Sequence, residues 1–170
     1  KSTATPIKTD PSIKHGLSLS DDFEGPEPGL QWTFWKEYAP QSLSFKKQTL
    51  WMDAKGSTPS DARLLLTTAE DKNYETQVEV NVGKGNTAGL LLYYSEKAYF
   101  GVVSDGKDFT IYRNAENSFT LPNKLGKRFF AKIQNQGNSV RLAVSKDGKE
   151  WTTLVENMDV SQLHHNNYGG

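Results

Sequence analysis

Turn-forming residues punctuate this chain too often for long helices to be its main element. Turn signals recur at Gly25–Gly29, Lys55–Ser60, Gly83–Asn86, Asp105-Gly106, Gly126, Gln136–Asn138 and Asp147-Gly148. Most segments between them run 8 to 20 residues and lean toward Val, Thr, Tyr and Phe. Such residues fit a pleated, half-buried surface, and short strands with turns at this spacing indicate an all-β sandwich or barrel. The spacing predicts a single antiparallel β-sandwich.

Individual strands carry the prediction further. In the stretch from Tyr74 to Val82, the residues Tyr74, Thr76, Val78, Val80 and Val82 share one face, and Glu75, Gln77, Glu79 and Asn81 share the other. That is the alternation of a strand with one wet face. Ala88–Tyr94 is apolar on both faces and reads as a central strand covered on each side. Tyr99–Ser104 and Phe109–Arg113 flank Asp105-Gly106, a pair that suits the positive φ angles of a type I′ hairpin turn. Phe129–Gln134 and Val140–Ser145 flank a Gln-Gly-Asn turn, and Asp147-Gly148 leads into Glu150–Val155 with Trp151. Helix evidence is confined to Met158–Leu163, which could form one turn. Residues 1–18 sustain no period and read as a linker or loosely docked arm, which leaves 19–170 for the sandwich.

Composition removes several function classes. The 170 residues contain no cysteine, so thiol nucleophiles, thiolate metal sites and disulfides are excluded. Twenty basic and twenty acidic side chains cancel, which is a poor footprint for nucleic acid or for an anionic membrane. No apolar run approaches the ~20 residues of a membrane-spanning helix.

Catalytic groups are sparse. His15 stands alone, and His164-His165 would point to opposite faces of a strand, a poor arrangement for chelating one ion. No Gly-x-Ser-x-Gly elbow, phosphate loop or dinucleotide fingerprint is present. Glu75 and Glu79 share one strand face about 13 Å apart at ~3.3 Å per residue. Glycosidase carboxyl pairs stand roughly 5–5.5 or 6.5–9.5 Å apart, and Gln77 between them cannot ionise. A solvated strand face is the plainer reading, and a sandwich glycanase using Glu75 and Glu79 is the remote one.

Asp21, Asp22 and Glu24 offer hard oxygen ligands for a structural calcium, against the plainer reading of a solvated turn. No other cofactor is suggested. Aromatic residues are the richer signal: Trp32, Phe34, Trp35 and Tyr38 crowd seven residues, and Trp51, Tyr93, Tyr94, Tyr99, Phe100 and Tyr112 follow. Alternation sets Trp32, Phe34 and Lys36 on one face against Thr33, Trp35 and Glu37 on the other, and the rings are divided between core, for Trp32 and Phe34, and a partner-facing surface, for Trp35 and Tyr38.

Four segments together resemble one family. The opening Leu19-Ser-Asp-Asp-Phe-Glu-Gly-Pro-Glu-Pro-Gly-Leu-Gln-Trp32, the strand and turn Ala88–Tyr99, the hairpin Ser145-Lys-Asp-Gly-Lys-Glu-Trp151 and the late segment Asp159–Asn166 with Tyr168-Gly-Gly170 resemble the C-terminal module of glycoside hydrolase family 43 enzymes. The resemblance implies a concanavalin A-like β-sandwich of jelly-roll type, following a five-bladed catalytic propeller in β-xylosidases and α-L-arabinofuranosidases. The propeller is then the partner within the parent chain, and plant xylan- or arabinan-type polysaccharide is its substrate. The catalytic acids belong to the propeller, so this chain is implied to be non-catalytic while its parent is a glycosidase. The sandwich of some members lends an aromatic loop to the substrate pocket, and the positional candidates here are Phe34, Trp35, Lys36 and Tyr38. A stand-alone carbohydrate-binding module is the alternative, with Trp35, Tyr38 and Tyr93 or Tyr112 as stacking platforms. Residues 1–18 become the interdomain linker, and the setting implied is bacterial and periplasmic or extracellular rather than cytoplasmic. The family module continues past the Gly-Gly with further strands, so the chain is expected either to lack its last strands or to close differently.

Overall fold

The computed structural model describes residues 19–69 and 72–161. The expected linker at 1–18, the three histidines and the close of the late segment at Gly170 lie outside those residues. Twelve strands are present among the described residues: β1 (Thr33–Phe34), β2 (Leu43–Phe45), β3 (Leu50–Met52), β4 (Leu65–Leu66), β5 (Asn73–Asn81), β6 (Ala88–Tyr93), β7 (Tyr99–Ser104), β8 (Asp108–Tyr112), β9 (Ser118–Pro122), β10 (Arg128–Gln136), β11 (Ser139–Ser145) and β12 (Trp151–Asp159). Every pairing is antiparallel. One four-stranded sheet runs β12-β11-β10-β5 and the other β6-β7-β8-β9, while β1-β4 and β2-β3 form two small ribbons. This is the expected all-β antiparallel sandwich.

Alternation sets the register. Val78 lies opposite Ala131 and Val80 opposite Phe129, so the inward positions of β5 and β10 coincide. Phe129, Ile133, Val140 and Leu142 from that sheet meet Phe100, Val102, Phe109 and Ile111 from the other. The rings of Phe109 and Phe129 cross edge to face at 5.1 Å, bridging the layers. Each such side chain contributes about 1.5–3 kcal/mol by leaving water. The opposite face of β5 carries exposed Glu75, Gln77 and Glu79, as its alternation predicts.

Three expectations are corrected. First, β6 is outermost in its sheet among the described residues, not central. It reads as apolar on both faces because Leu90 and Leu92 meet the core, while Tyr93 on the other face is covered by Trp35 at 5.3 Å. Second, the Asp105-Gly106 turn is not type I′, since only Gly106 has positive φ, at +91°. Asp105 Oδ1 accepts from the backbone N–H of Lys107 and Asp108 at 2.8 and 2.9 Å, and Ser104 Oγ accepts from Gly106 N–H at 2.9 Å. The Asp147-Gly148 turn repeats this arrangement, with Asp147 bonding Lys149 and Glu150, and Ser145 bonding Gly148. The aspartate bonds its own backbone and so sets the loop. Third, Met158 and Asp159 are not helical but end β12.

Candidate functional site

Tyr93 and Tyr99 are cross-strand partners at the end of the β6–β7 hairpin. Their rings stack at 5.8 Å with planes 6° apart. Tyr99 meets Tyr112 of β8 edge on at 5.4 Å, and Trp35 caps Tyr93 at 5.3 Å. Trp35, Tyr93, Tyr99 and Tyr112 thus form a continuous ladder on the outer face of this sheet. The Tyr99 hydroxyl stands 3.1 Å from Ser60 Oγ, which itself donates to the Glu96 carbonyl at 2.7 Å. Trp35 Nε1 and the Tyr93 hydroxyl, by contrast, are buried with no hydrogen-bond partner among the described residues. Burial, aided by the nearby Tyr99 phenol, pushes the Tyr93 phenol up to about 12 and raises Tyr112 for the same reasons. These phenols therefore stay neutral and offer no nucleophilic oxygen at ordinary pH.

The rest of the 34–38 segment forms a rim. Phe34 and Tyr38 meet edge to face at 5.6 Å, and Tyr38 is 79% exposed. Lys36 forms an ion pair with Glu96 in the β6–β7 turn. Trp35 departs from its expected outward position. Strand β1 ends at Phe34, and Lys36 takes φ +64°, so period-2 alternation stops and the indole folds back onto Tyr93. Tyr38 does face outward, but Trp32 and Phe34, expected in the core, are only half-buried. They stand outside the core cluster, Trp32 against Phe23 and Phe34 against Tyr38, because the short β1 lies beyond the two main sheets. Trp35, Lys36, Tyr93 and Tyr112 are therefore linked through Tyr99, Ser60 and Glu96, while Phe34 and Tyr38 pair with each other. The composition of β7 held the signal for Tyr99; nothing in the spacing singled out Ser60.

The other candidates are placed apart. Glu79 is paired with Arg128, and Glu75 accepts from Gln134 at 2.6 Å with Lys132 Nζ at 3.6 Å. Both carboxylates are thus matched by donors on β10. Lys132 in turn lies 4.0 Å over the Trp151 ring. Asp21 accepts from the N–H groups of Phe23 at 2.8 Å and Gly29 at 3.4 Å, from Gln31 at 3.2 Å and from Trp32 Nε1 at 2.8 Å. Desolvation raises its carboxyl, but the bonds from Phe23, Trp32 and Gly29 together outweigh this and hold it below the usual range. Asp22 bonds Glu24 N–H at 3.2 Å, and Glu24 accepts from Gln48. Asp21 thus staples the loop that ends at Trp32. Among the described residues no three His, Cys, Asp or Glu side chains stand together as a metal site.

The sequence matches, over residues 20–170, the family described as the beta xylosidase C-terminal concanavalin A-like domain. The fold is similar to that of the GH43 protein BlXynB from Bacillus licheniformis, with TM-score 0.74, 21% identity and 86% of this chain covered against 32% of that one. It is also similar to the Bacteroides ovatus xyloglucan PUL GH43B (TM-score 0.74, 13% identity, 94% of this chain and 35% of that one). A xylan beta-1,4-xylosidase from Bacillus halodurans is similar too, with TM-score 0.70, 15% identity and coverage of 97% and 34%. The chain spans about a third of the length of these proteins. No curated protein matches the sequence.

Proposed function

The chain belongs to the family of C-terminal concanavalin A-like domains of beta-xylosidases, and from that premise we propose that it is a non-catalytic accessory sandwich of a family 43 glycoside hydrolase. It docks on the catalytic propeller of the same protein and shapes that propeller's pocket for xylan- or arabinan-type substrates. The observation that carries this reading is the outer aromatic face. There Trp35 Nε1 and the Tyr93 hydroxyl are buried without partners, and Tyr38 stands exposed beside Phe34. Buried polar groups are ordinarily paired, and exposed aromatic clusters mark contact surfaces. The similar folds include that of a xylan beta-1,4-xylosidase, which supports the sugar class.

The test is assembly in trans. The 170-residue chain is mixed with the separately produced propeller of its parent enzyme and followed by analytical ultracentrifugation. A one-to-one complex is expected, weakened about tenfold or more by Tyr38→Ala, the scale of an interface anchor. No complex, or one indifferent to both Tyr38→Ala and Phe34→Ala, would overturn the proposal.

A further inference from the structure

The outer face of the β12-β11-β10-β5 sheet lies across the sandwich from the aromatic ladder, and its chemistry is different. Where β10 and β11 meet the turn at Gly137, a groove of about 200 Å³ is lined by Gln134, Gln136, Ser139, Arg141, Glu156 and Asn157. A departure from regular pairing builds it. Val140 pairs with Met158 but Leu142 with Val155, so β12 uses one residue more than β11 over that interval. Such a bulge re-aims side chains. Glu156 and Asn157, adjacent in sequence, are consequently both exposed instead of alternating. Asn157 takes φ +50°, a conformation asparagine tolerates better than most residues.

The lining is polar, planar and electrically balanced. Arg141 and Glu156 pair at 3.4 Å, and the other groups are three carboxamides and a hydroxyl. Arg141 also donates through Nε and Nη2 to Thr153 Oγ1 at 3.1 and 2.7 Å, which fixes the guanidinium and leaves its Nη1 donors uncommitted. Gln134 donates to Glu75 at 2.6 Å, which fixes its amide and leaves its oxygen as an acceptor. Donors and acceptors thus stand side by side on held groups, with no net charge and no apolar wall. An anion would meet Glu156, and a cation would meet Arg141. A neutral ligand with adjacent hydroxyls, each both donor and acceptor, matches the set.

We infer that this groove binds a neutral sugar unit of a polysaccharide, held by Gln134, Gln136, Arg141 and Asn157 on the side of the sandwich away from the docking face. The site is independent of docking. One sheet would meet the propeller while the other holds a chain of the same substrate class at a distance from the reacting bond. With a handful of hydrogen bonds exchanged against water and no apolar wall, affinity falls in the millimolar range.

The experiment is an NMR titration of the 170-residue chain with xylotriose, arabinotriose and, separately, glucuronate. Saturable shifts are expected with a neutral trisaccharide at the side-chain amides of Gln134, Gln136 and Asn157 and at Arg141 Nε–H. Gln136→Ala and Asn157→Gly should each weaken binding about fivefold or more without changing the melting temperature, since glycine accepts the positive φ at 157. Tyr38→Ala should leave the titration unchanged, which keeps this result separate from assembly with the propeller. The inference fails if no neutral trisaccharide saturates, if the shifts gather at Phe34 and Tyr38, if glucuronate competes equally, or if both groove variants bind as the parent does.

Discussion

Asn123 joins two turns that are distant in sequence, and its removal should cost more than any exposed polar change. The side chain is 8% exposed. Its Nδ2 donates to Ser104 Oγ and to the Gly126 carbonyl, both at 2.8 Å. Its Oδ1 accepts from the N–H groups of Leu125 and Gly126 at 2.8 and 3.1 Å. Ser104, 1% exposed, organises the β7–β8 turn through Gly106 and Asp108. Four bonds at about 0.5–1.5 kcal/mol each bound the loss in Asn123→Ala at roughly 2–6 kcal/mol. Water reaching half-buried Gly126 recovers part of it, so about 3 kcal/mol is expected, or roughly 6–12 °C in Tm for a chain of this size. Urea unfolding followed by circular dichroism measures it, with the m-value unchanged. A double-mutant cycle with Ser104→Ala should give a coupling of about 0.5–1.5 kcal/mol. Asn123→Asp adds a pH signature, because a carboxylate would face the Gly126 carbonyl where an amide N–H now points. Its neutral acid would be favoured in the folded protein, raising the folded pKa above the unfolded one. That stability is present at low pH and is lost as pH rises through the folded value. A loss under about 1 kcal/mol in Asn123→Ala, or strict additivity with Ser104→Ala, would refute the idea that this amide couples the turns.

Two further outcomes are expected. A Cβ at Gly101 would stand 2.2 Å from the Leu90 carbonyl oxygen and 2.9 Å from Leu91 Cα, so Gly101→Ala should destabilise by about 3 kcal/mol; a thermal melt within 2 °C of the parent would show that β6 and β7 can simply part. The carboxyls of Asp105 and Asp147 are held low by backbone N–H bonds from Asp108 and Lys107 and from Glu150 and Lys149, respectively. Folded values below unfolded ones mean that their stabilisation is present above the ordinary aspartate range and lost as pH falls through it. Asp105→Asn with Asp147→Asn keeps the acceptors and removes the titration, so the fall in urea midpoint between pH 7 and pH 3 should shrink. An unchanged fall would place the acid sensitivity elsewhere.

Sequence periodicity was informative where a strand is long and one of its faces is wet. Tyr74 to Val82 is such a case, and its alternation located both the core side of β5 and the exposed position of Glu75 and Glu79. It misled where strands are short or irregular. Two residues of β1 cannot carry an alternation on to Trp35 when Lys36 turns the chain left-handed. The apolar run at Ala88–Tyr93 records two covered faces, and sequence does not distinguish cover by another strand from cover by an indole. The groove on β10–β12 was missed for a related reason, since a bulge changes which residues share a face. Its trace was nonetheless present as Glu156-Asn157, two consecutive polar residues within a strand.

The two outer faces impose different requirements on the rest of the chain. Outward positions of β5, β10 and β11 include Glu75, Gln77, Lys132, Gln134 and Arg141, a set that can meet water directly. Outward positions of β6, β7 and β8 include Leu91, Tyr93, Tyr99, Val103 and Tyr112, a set that cannot without exposing a wide apolar patch. The segment before β5 supplies part of the cover. Trp35 N–H bonds the Leu64 carbonyl at 3.1 Å, joining β1 to β4, and Ser60 fastens the same segment to Tyr99 and Glu96. Trp35 after β1 and Ser60 before β4 thus give the second sheet a partial outer cover. The cover leaves Trp35 Nε1 and the Tyr93 hydroxyl unpaired and Tyr38 outside. An added surface that completes this layer would therefore cover the remaining apolar edge and take exposed Tyr38, beside Phe34, as an aromatic anchor, and this is why docking is proposed for this face and not for the charged one.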